Sequence, residues 1–214
     1  LGFRRWLFRA PFAGALINRF GSARITLFGG LLFAVGFLGP VTAPTLILFM
    51  MGALVMGLGM GAMDVAMNAH GLAVEKALGK PIISGLHAAF SVGAMLGAFI
   101  GAWLLEAVGP LSQAMIFSSA FIVSHIFVCM NLLPAAIDKG LSESHFGWPT
   151  KATIGLGALC FLALMIEGSI SDWAAILMRQ KFAIDASFAA FGFAFYHTGM
   201  AATRFLVYFS RKGF

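Results

Sequence analysis

Charged residues are scarce in this 214-residue chain, since Asp, Glu, Lys and Arg make up only 10% of it. An ordinary soluble domain carries about 25%. Hydrophobic residues make up 60%, and the mean hydropathy is +0.94. A water-soluble domain of this size has too much surface for its volume to hide so much apolar area, and this composition also excludes intrinsic disorder. We therefore expect lipid to surround most of the chain.

Cysteine is nearly absent as well. Cys129 and Cys160 each lie in an apolar run, which favours a buried small side chain over a disulfide or a metal ligand. The five histidines show no metal-ligand spacing with cysteine, aspartate or glutamate. Neither a phosphate-binding glycine loop nor a nucleophile elbow is found in the sequence. We therefore expect no cofactor, no metal site and no catalytic site, which argues against an ATP-driven pump and against an enzyme.

Long uncharged runs define the predicted membrane segments, because one transmembrane helix needs about 20 residues. Residues 25–63 carry no charge and are divided by Gly39-Pro40 and Pro44. The runs are continuous rather than alternating, which favours helices over β-strands. The predicted fold class is an all-α, polytopic helical membrane protein. Six spans are expected, at residues 22–41, 44–68, 82–105, 107–137, 152–178 and 186–208.

Basic residues are unevenly divided between the two sides that these spans define. Twelve lysines and arginines fall on one side, Arg204 among them, and only Arg179 and Lys181 fall on the other. The positive-inside rule places the richer side in the cytoplasm. The net charge of +6 is thus explained by topology, with the lipid bilayer as partner, and no nucleic-acid binding is expected. The tryptophans lie near predicted span ends, as in an interfacial aromatic belt: Trp6, Trp103, Trp148 and Trp173.

The first informative motif precedes the first predicted span. It reads Gly14-Ala15-Leu16-Ile17-Asn18-Arg19-Phe20-Gly21-Ser22-Ala23-Arg24. It resembles the loop G-x-L-x-D-R-x-G-R-R between the second and third helices of the major facilitator superfamily (MFS), and the matches are Gly14, Leu16, Arg19, Gly21 and Arg24. The family usually has Asp at the position of Asn18, and that Asp helps to latch the cytoplasmic side, so we expect a weaker latch. From the residues alone, the alternative is a basic turn whose only role is to orient the chain in the membrane.

Two later stretches extend the resemblance. The glycine-rich end of the second span, with Asp64 followed four residues later by Asn68, is similar to bacterial inner-membrane members and to the fucose/sugar–proton symporter group. The stretch from Glu167 to Trp173 resembles the seventh helix of those members. The helix with Gly93 lacks the Gly-Pro motif of many antiporters in the superfamily, and no arginine lies in the fourth helix. Both departures favour symport or uniport over drug/proton antiport.

The resemblance implies a partial MFS fold, with the six spans as helices three to eight of twelve. Residues 1–137 would form an incomplete N-terminal half-bundle, residues 138–150 the central cytoplasmic loop, and residues 151–214 the first two helices of the C-terminal half. A further pattern concerns packing. Gly93, Gly97 and Gly101 lie on one helix face, which would let another helix approach closely.

Ionisable side chains inside a bilayer are costly, so each is a candidate for function. Glu167 follows Lys151 by about 24 Å of helix, which predicts a position in the outer half of the bilayer. An unpaired carboxylate at that depth can bind and release a proton. Asp172 is expected near the outer boundary, as a gate or belt residue. Asp64, with Asn68 on the same helix face, is expected at the cytoplasmic boundary, as a helix-end or gate residue.

Histidines supply the remaining candidates. His197 and its neighbour Tyr196 are expected close to the midplane, where secondary transporters bind substrate. His87 and His125 are expected in the inner halves of their spans. For each histidine an interhelical hydrogen bond is the alternative to a ligand role. The candidate substrate and proton pathway is Asp64, Asn68, His87, Glu167, Asp172, Tyr196 and His197, and the candidate latch is Gly14, Asn18, Arg19, Gly21 and Arg24.

The predicted function is secondary transport of the MFS type, in which two helix bundles rock about a site near the midplane. The resemblance implies a sugar-like or other small polar solute, a proton as coupling ion, symport, and a multi-pass location in the inner membrane. Proton-coupled efflux of a drug or metabolite is one alternative. A truncated scaffold or remnant that transports nothing is another.

The resemblance also predicts that the natural protein is about twice as long as this chain, because the family has two six-helix halves. The intact mass of the protein from its native membrane tests this expectation. A mass equal to that of the 214 residues would contradict it. In that case either two copies of the six-span chain would assemble, or the chain would be a remnant that transports nothing.

Overall fold

The computed structural model describes residues 12–140 and 150–212. Trp6, Trp148, residues 1–11 and most of the predicted loop 138–150 therefore lie outside the described residues. The described ranges contain helices and no β-strand, which confirms the predicted all-α class. The elements in chain order are α1 (Phe12–Phe20), α2 (Ser22–Thr42), α3 (Leu46–Leu78), α4 (Ile83–Met130), a 3₁₀-helix (Ala135–Gly140), α5 (Lys151–Phe182) and α6 (Ala186–Lys212).

Four of these helices, α2 to α5, are long and apolar enough to cross a membrane. Helix α4 has 48 residues, which is about 72 Å of helix and more than twice the roughly 30 Å of a bilayer's hydrocarbon core. It is interrupted at Gly109, whose φ of 76° and ψ of 171° are not helical, and Pro110 follows. We call the two parts α4a (residues 83–108) and α4b (residues 110–130). They correspond to the third and fourth predicted spans.

The sixth predicted span corresponds to α6, a helix of 27 residues. At about 40 Å it is long enough to cross a bilayer. Its middle carries polar side chains, Tyr196, His197 and Arg204 among them. A lower apolar content is what a helix needs when it lines a polar site, and its crossing of the membrane stays a prediction.

Two predicted boundaries were wrong. The second span does not end near residue 68, because α3 continues to Leu78, and so Asp64 and Asn68 lie inside an unbroken helix. This helix ends where Gly79 adopts a left-handed φ of 62° and its N–H donates to the Glu75 carbonyl. The fourth span was predicted to reach residue 137, but α4b ends at Met130 and a 3₁₀-helix begins at Ala135.

The described helices belong to two compact units. One comprises Leu1–Lys80 and Pro110–Phe146, and the other comprises Pro81–Gly109 and Gly147–Phe214. The first unit therefore contains α1, α2, α3, α4b and the 3₁₀-helix, and the second contains α4a, α5 and α6. The change of unit at Gly109 coincides with the break in α4. The division into halves at 1–137 and 151–214 stays a prediction. On that division, α4a belongs to the N-terminal half and α5 and α6 to the C-terminal half.

Glycines allow α2 and α3 to pack backbone against backbone. A Cβ at Gly29 would lie 2.7 Å from the backbone nitrogen of Met63. A Cβ at Gly59 would clash with the backbone of Phe33 and would lie 2.8 Å from the Gly29 carbonyl oxygen. These neighbours are main-chain atoms, so no side-chain rotation relieves the clash. The same holds farther along the two helices, at Gly36, Gly39 and Gly52.

The predicted glycine face on α4a does not behave in this way. No heavy atom of the described residues lies within 4 Å of a Cβ placed at Gly93 or at Gly97. Among the described residues, no helix makes the close approach expected at these two positions. The α2–α3 contact shows instead that the sequence uses glycine for close packing in the first unit.

We expect Gly59→Ala to lower the stability of the first unit, because its methyl group must displace the α2 backbone. Overpacking of this kind costs about 1–3 kcal/mol, which outweighs the gain of about 1 kcal/mol in helix propensity. Gly61→Ala is the matched control on the same helix, since the space around Gly61 is open. Thermal unfolding of the full protein in nanodiscs measures both. Equal melting temperatures for the two variants would contradict the close packing.

Candidate functional site

An ion pair joins α5 and α6 in the second unit. Arg204 Nη2 lies 3.7 Å from Glu167 Oε2, and the two side chains are 26% and 23% exposed. Glu167 lies at the midpoint of α5, about 24 Å of helix from Lys151 and about 23 Å from Phe182. The expectation of an unpaired carboxylate was therefore wrong. The predicted position of Glu167 in the outer half of the bilayer assumed that Lys151 marks the membrane boundary. In the structure, α5 extends about equally far on either side of Glu167.

Arg204 also differs from its predicted role. The sequence counts it among the cytoplasmic loop charges, but it lies within α6, eight residues before the end of the helix at Lys212. Its side chain contacts Glu167 rather than solvent alone. The asymmetry of basic residues persists without it, so the predicted orientation does not depend on Arg204.

The other side of the Arg204 guanidinium contacts α4a. Nη1 donates a hydrogen bond to the carbonyl oxygen of His87 at 3.2 Å and another to Ser91 Oγ. Ser91 is fully buried, and its hydroxyl donates to the same His87 carbonyl at 3.1 Å. The helices come this close because Gly85 faces the ring of Tyr208, where an added Cβ would lie 3.1 Å from Cε2. These contacts fix one edge of the guanidinium.

The opposite edge of the guanidinium is less occupied. An arginine side chain has five N–H donors. Nη2 reaches Glu167 only at 3.7 Å, beyond the usual 2.7–3.2 Å of an N–H···O hydrogen bond. Nε forms no hydrogen bond with the residues that the structure describes. The edge formed by Nε and Nη2 therefore keeps hydrogen-bonding capacity beyond the ion pair with Glu167.

A cavity of about 360 Å³ is lined by residues of α4a and α6, Arg204 among them. Its polar lining consists of two hydroxyls, an imidazole and the Arg204 guanidinium. Glu167 does not line it. The lining residues are Ile83, Ser84, His87, Thr203, Arg204 and Val207.

His197 lies on the same face of α6 as Arg204, two turns earlier. It is only 2% exposed, and neither of its ring nitrogens has a hydrogen-bond partner among the described residues. The rings of Phe193 and Tyr196 lie at centroid distances of 4.2 Å and 5.3 Å. The alternative of an interhelical hydrogen bond is thus not realised within these residues. A buried imidazole without a partner is costly, which keeps His197 a candidate for ligand binding.

The other predicted pathway residues do not join this site. Asp172 is exposed and follows Glu167 by five residues, so it lies on another face of α5. Asp64 and Asn68 belong to the first unit. Asn68 Nδ2 donates to the Asp64 carbonyl oxygen at 2.9 Å and to Asp64 Oδ1 at 3.1 Å. Their predicted contact across one helical turn is confirmed, and their roles in the pathway stay predictions.

The first unit contains a buried polar cluster that the sequence reasoning missed. The backbone N–H of Ser22 donates to Asp138 Oδ2 at 2.8 Å, and the Ser22 hydroxyl donates to Asp138 Oδ1 at 2.7 Å. His70 Nδ1 lies 2.8 Å from Ser22 Oγ. Because that hydroxyl gives its proton to Asp138, His70 Nδ1–H is the donor in the second contact. All three side chains are buried.

This cluster caps the start of α2. Gly21, the residue before the helix, has no side chain to satisfy the first N–H groups, and Asp138 does so from 116 residues away. Gly21 adopts a φ of 86°, and a Cβ there would lie 2.6 Å from Ala135 Cβ. Gly21 could have signalled the close approach. No local signal connects Asp138, which the sequence places at the start of a loop, with Ser22.

The predicted latch residues are helical except at Gly21. Gly14, Asn18 and Arg19 lie in α1, and Arg24 lies in α2, so the expectation of a loop was wrong. Asn18 and Arg24 are exposed, and Arg19 lies 5.1 Å above the ring of Phe20. Within the same motif, Gly21 and Ser22 approach a distant segment at Ala135 and Asp138. The latch role stays a prediction.

His125 and Cys129 lie on α4b, and Cys160 lies on α5. His125 Nε2 lies 3.1 Å from the Thr26 carbonyl oxygen, so α4b bonds to α2 and the expected interhelical contact is confirmed. Cys129 is half-buried and also contacts His125, at 3.6 Å. Cys160 is exposed, which contradicts its predicted burial. An exposed thiol within an apolar helix is compatible with a lipid-facing position.

The fold defines an all-α, multi-pass membrane protein, and its second unit places a charged pair and a buried histidine among apolar helices. Curated proteins with similar sequences show its relationship. The chain is 31% identical over 199 residues to an uncharacterized MFS-type transporter of Yersinia pestis, which covers 91% of this chain and 50% of that protein. It is 26% identical over 197 residues to an uncharacterized transporter of Sinorhizobium fredii, covering 91% and 52%.

A third relative is the membrane protein MosC of Rhizobium meliloti, 24% identical over 203 residues that cover 90% of this chain and 47% of MosC. No family model matches the chain, and no solved structure matches it. The chain spans about half the length of the curated relatives it matches. It is related to MFS-type transporters, and the resemblance that its motifs indicated is confirmed.

We expect Ser22→Ala to destabilise the first unit. The substitution leaves His70 Nδ1 and Asp138 Oδ1 without the hydroxyl that joins them. A buried polar group that loses its partner costs about 1–3 kcal/mol. Ser124→Ala is the matched control, because Ser124 is exposed and its hydroxyl bonds only within its own helix. A thermal unfolding midpoint for Ser22→Ala equal to that of the control would contradict a stabilising cluster.

Proposed function

We propose that the protein containing this chain is a secondary transporter of the bacterial inner membrane, and that the Glu167–Arg204 pair couples solute movement to a proton. The observation that carries the proposal is this pair itself, which joins the middle of the apolar helix α5 to α6. The names of the relatives support transport as the activity. A sugar-like or other small polar solute in symport is the substrate class that the sequence resemblance implies.

The position of the pair supports alternating access. If the halves divide at residues 138–150, α4a belongs to one half and α5 and α6 belong to the other. The hydrogen bonds from Arg204 to His87 and Ser91 then connect the two halves. Transporters of this kind bind substrate where their repeats meet, and they work by rocking one repeat against the other. A contact at that place that is made in one state and broken in another biases the equilibrium between states.

Proton binding and ion pairing compete for the Glu167 carboxylate. When Glu167 is ionised, it compensates the charge of Arg204, and each group lowers the cost of placing the other away from water. When Glu167 takes up a proton, that compensation is lost and Arg204 needs a new partner. The proton thus changes which contacts the guanidinium makes, and this is the physical basis of coupling in the proposal.

Capture of solutes by proteoliposomes tests the proposal across several chemical classes of substrate at once. The natural full-length protein is reconstituted, and an inward proton gradient is imposed. A defined mixture of neutral sugars, monocarboxylates, dicarboxylates, inorganic phosphate and amines is supplied outside, together with a soluble metabolite extract. We expect at least one solute to accumulate tenfold or more over protein-free liposomes, as measured by mass spectrometry.

The variant Glu167→Gln should abolish this accumulation, because it removes the proton site while keeping the size of the side chain. Glu106→Gln is the matched control, since Glu106 is an exposed carboxylate on α4a. Size-exclusion profiles and melting temperatures verify that both variants are folded. Accumulation by Glu167→Gln that still follows the proton gradient would exclude Glu167 from coupling. Absence of any protein-dependent accumulation would contradict the transport proposal.

A further inference from the structure

We propose that the transported solute carries a single carboxylate, and that it binds from the cavity between α4a and α6 to the Nε–Nη2 edge of Arg204. This inference rests on the proposed function and specifies the class of its substrate. It would replace the neutral sugar that the resemblance implies.

The lining of the cavity favours an anion over a neutral polyol. Its volume of about 360 Å³ lies in the usual range of small-molecule sites, about 300–1,000 Å³. Its lining residues include no aspartate, glutamate, asparagine or glutamine. The hydroxyl donors of a sugar would therefore lack carboxylate and amide acceptors. By contrast, Ser84 and Arg204 offer donors to an oxyanion, whereas the Thr203 hydroxyl donates to carbonyls of its own helix.

The geometry of Arg204 favours a planar, two-oxygen ligand. Its Nη1 is held by the His87 carbonyl and Ser91 Oγ, so the plane of the guanidinium is fixed before any ligand arrives. The opposite edge presents two parallel N–H groups, from Nε and from Nη2, and Nη2 also forms the 3.7 Å ion pair with Glu167. A carboxylate matches this edge with two parallel hydrogen bonds, which gives both strength and orientation. Preorganisation by Ser91, which is fully buried, lowers the entropic cost of binding.

The charge balance favours one negative charge on the solute. In the resting state Glu167 and Arg204 compensate each other. A proton on Glu167 leaves the positive charge of Arg204 unmatched, and a monoanion restores neutrality. A dianion would leave an excess negative charge among apolar helices, which is costly. Proton and monocarboxylate should therefore bind together, and their joint movement should be electroneutral.

The solutes captured in the proteoliposome experiment test the substrate class directly. We expect the accumulated solute to be a monocarboxylate, and its initial rate of uptake to be unchanged when a potassium–valinomycin clamp alters the membrane potential. Accumulation of a neutral solute, a dianion or a cation would overturn the inference while leaving the transport proposal intact. If no solute accumulates, the proposed function fails, and this inference fails with it.

Variants of Arg204 test the assigned contact. With the captured monocarboxylate as probe, Arg204→Gln should lower uptake at least 100-fold. Arg204→Lys keeps the charge but loses the two-point contact, so KM should rise about tenfold with a smaller change in kcat. Arg179→Gln, an exposed arginine at the end of α5, is the control and should transport normally. Uptake by Arg204→Gln within threefold of the unaltered protein would overturn the assignment.

A counterflow experiment distinguishes the role of Glu167 from that of Arg204. Its Arg204→Lys variant keeps the test decisive if Arg204→Gln does not fold. Exchange of labelled for unlabelled monocarboxylate needs the solute site but no net proton movement. We therefore expect Glu167→Gln to retain exchange and to lose its dependence on the proton gradient. Arg204→Lys should show weakened exchange at both high and low pH. Normal exchange by Arg204→Lys, with an unchanged KM, would contradict binding through the guanidinium edge.

Discussion

The free-energy cost of placing charge and unpaired polar groups in hydrocarbon governs this structure. Every backbone N–H and C=O in a lipid environment needs a partner within the protein, and unbroken helices of up to 33 residues provide it. The same cost explains why 10% of the residues are charged. It also makes the few internal charges informative, because an apolar side chain would be more favourable wherever function did not require the charge.

Polar side chains within the helices meet this cost in three ways. Some hydroxyls donate a hydrogen bond to a carbonyl of their own helix, as Thr198 does to the Ala194 carbonyl. Others bond to a neighbouring helix, as Ser118 does with the Ala34 carbonyl and His125 with that of Thr26. The Glu167–Arg204 pair compensates charge with charge. His197 uses none of the three within the described residues, and this sets it apart from the polar groups that serve packing alone.

Features that depend on composition and on near neighbours were predictable from the sequence. Uncharged runs fixed the helical class and the approximate positions of the spans. The four-residue spacing of Asp64 and Asn68 correctly indicated their contact. The pairs that were missed join residues far apart in the chain, Glu167 with Arg204 and Ser22 with Asp138. Such pairs depend on how helices are arranged in space, and one sequence carries no direct record of that arrangement. Arg204 was misassigned for this reason, since a basic residue near a span end resembles a topology signal until its partner is known.

The glycine contacts between α2 and α3 have a mechanical consequence. Helices that meet through side chains can slide, because rotamers adjust as ridges pass one another. Two helices in main-chain contact at Gly29, Gly36 and Gly59 have no such adjustable layer. In any conformational change, α2 and α3 must therefore move together as one rigid unit. Deformation is left to places where side chains or a helix break separate the moving parts.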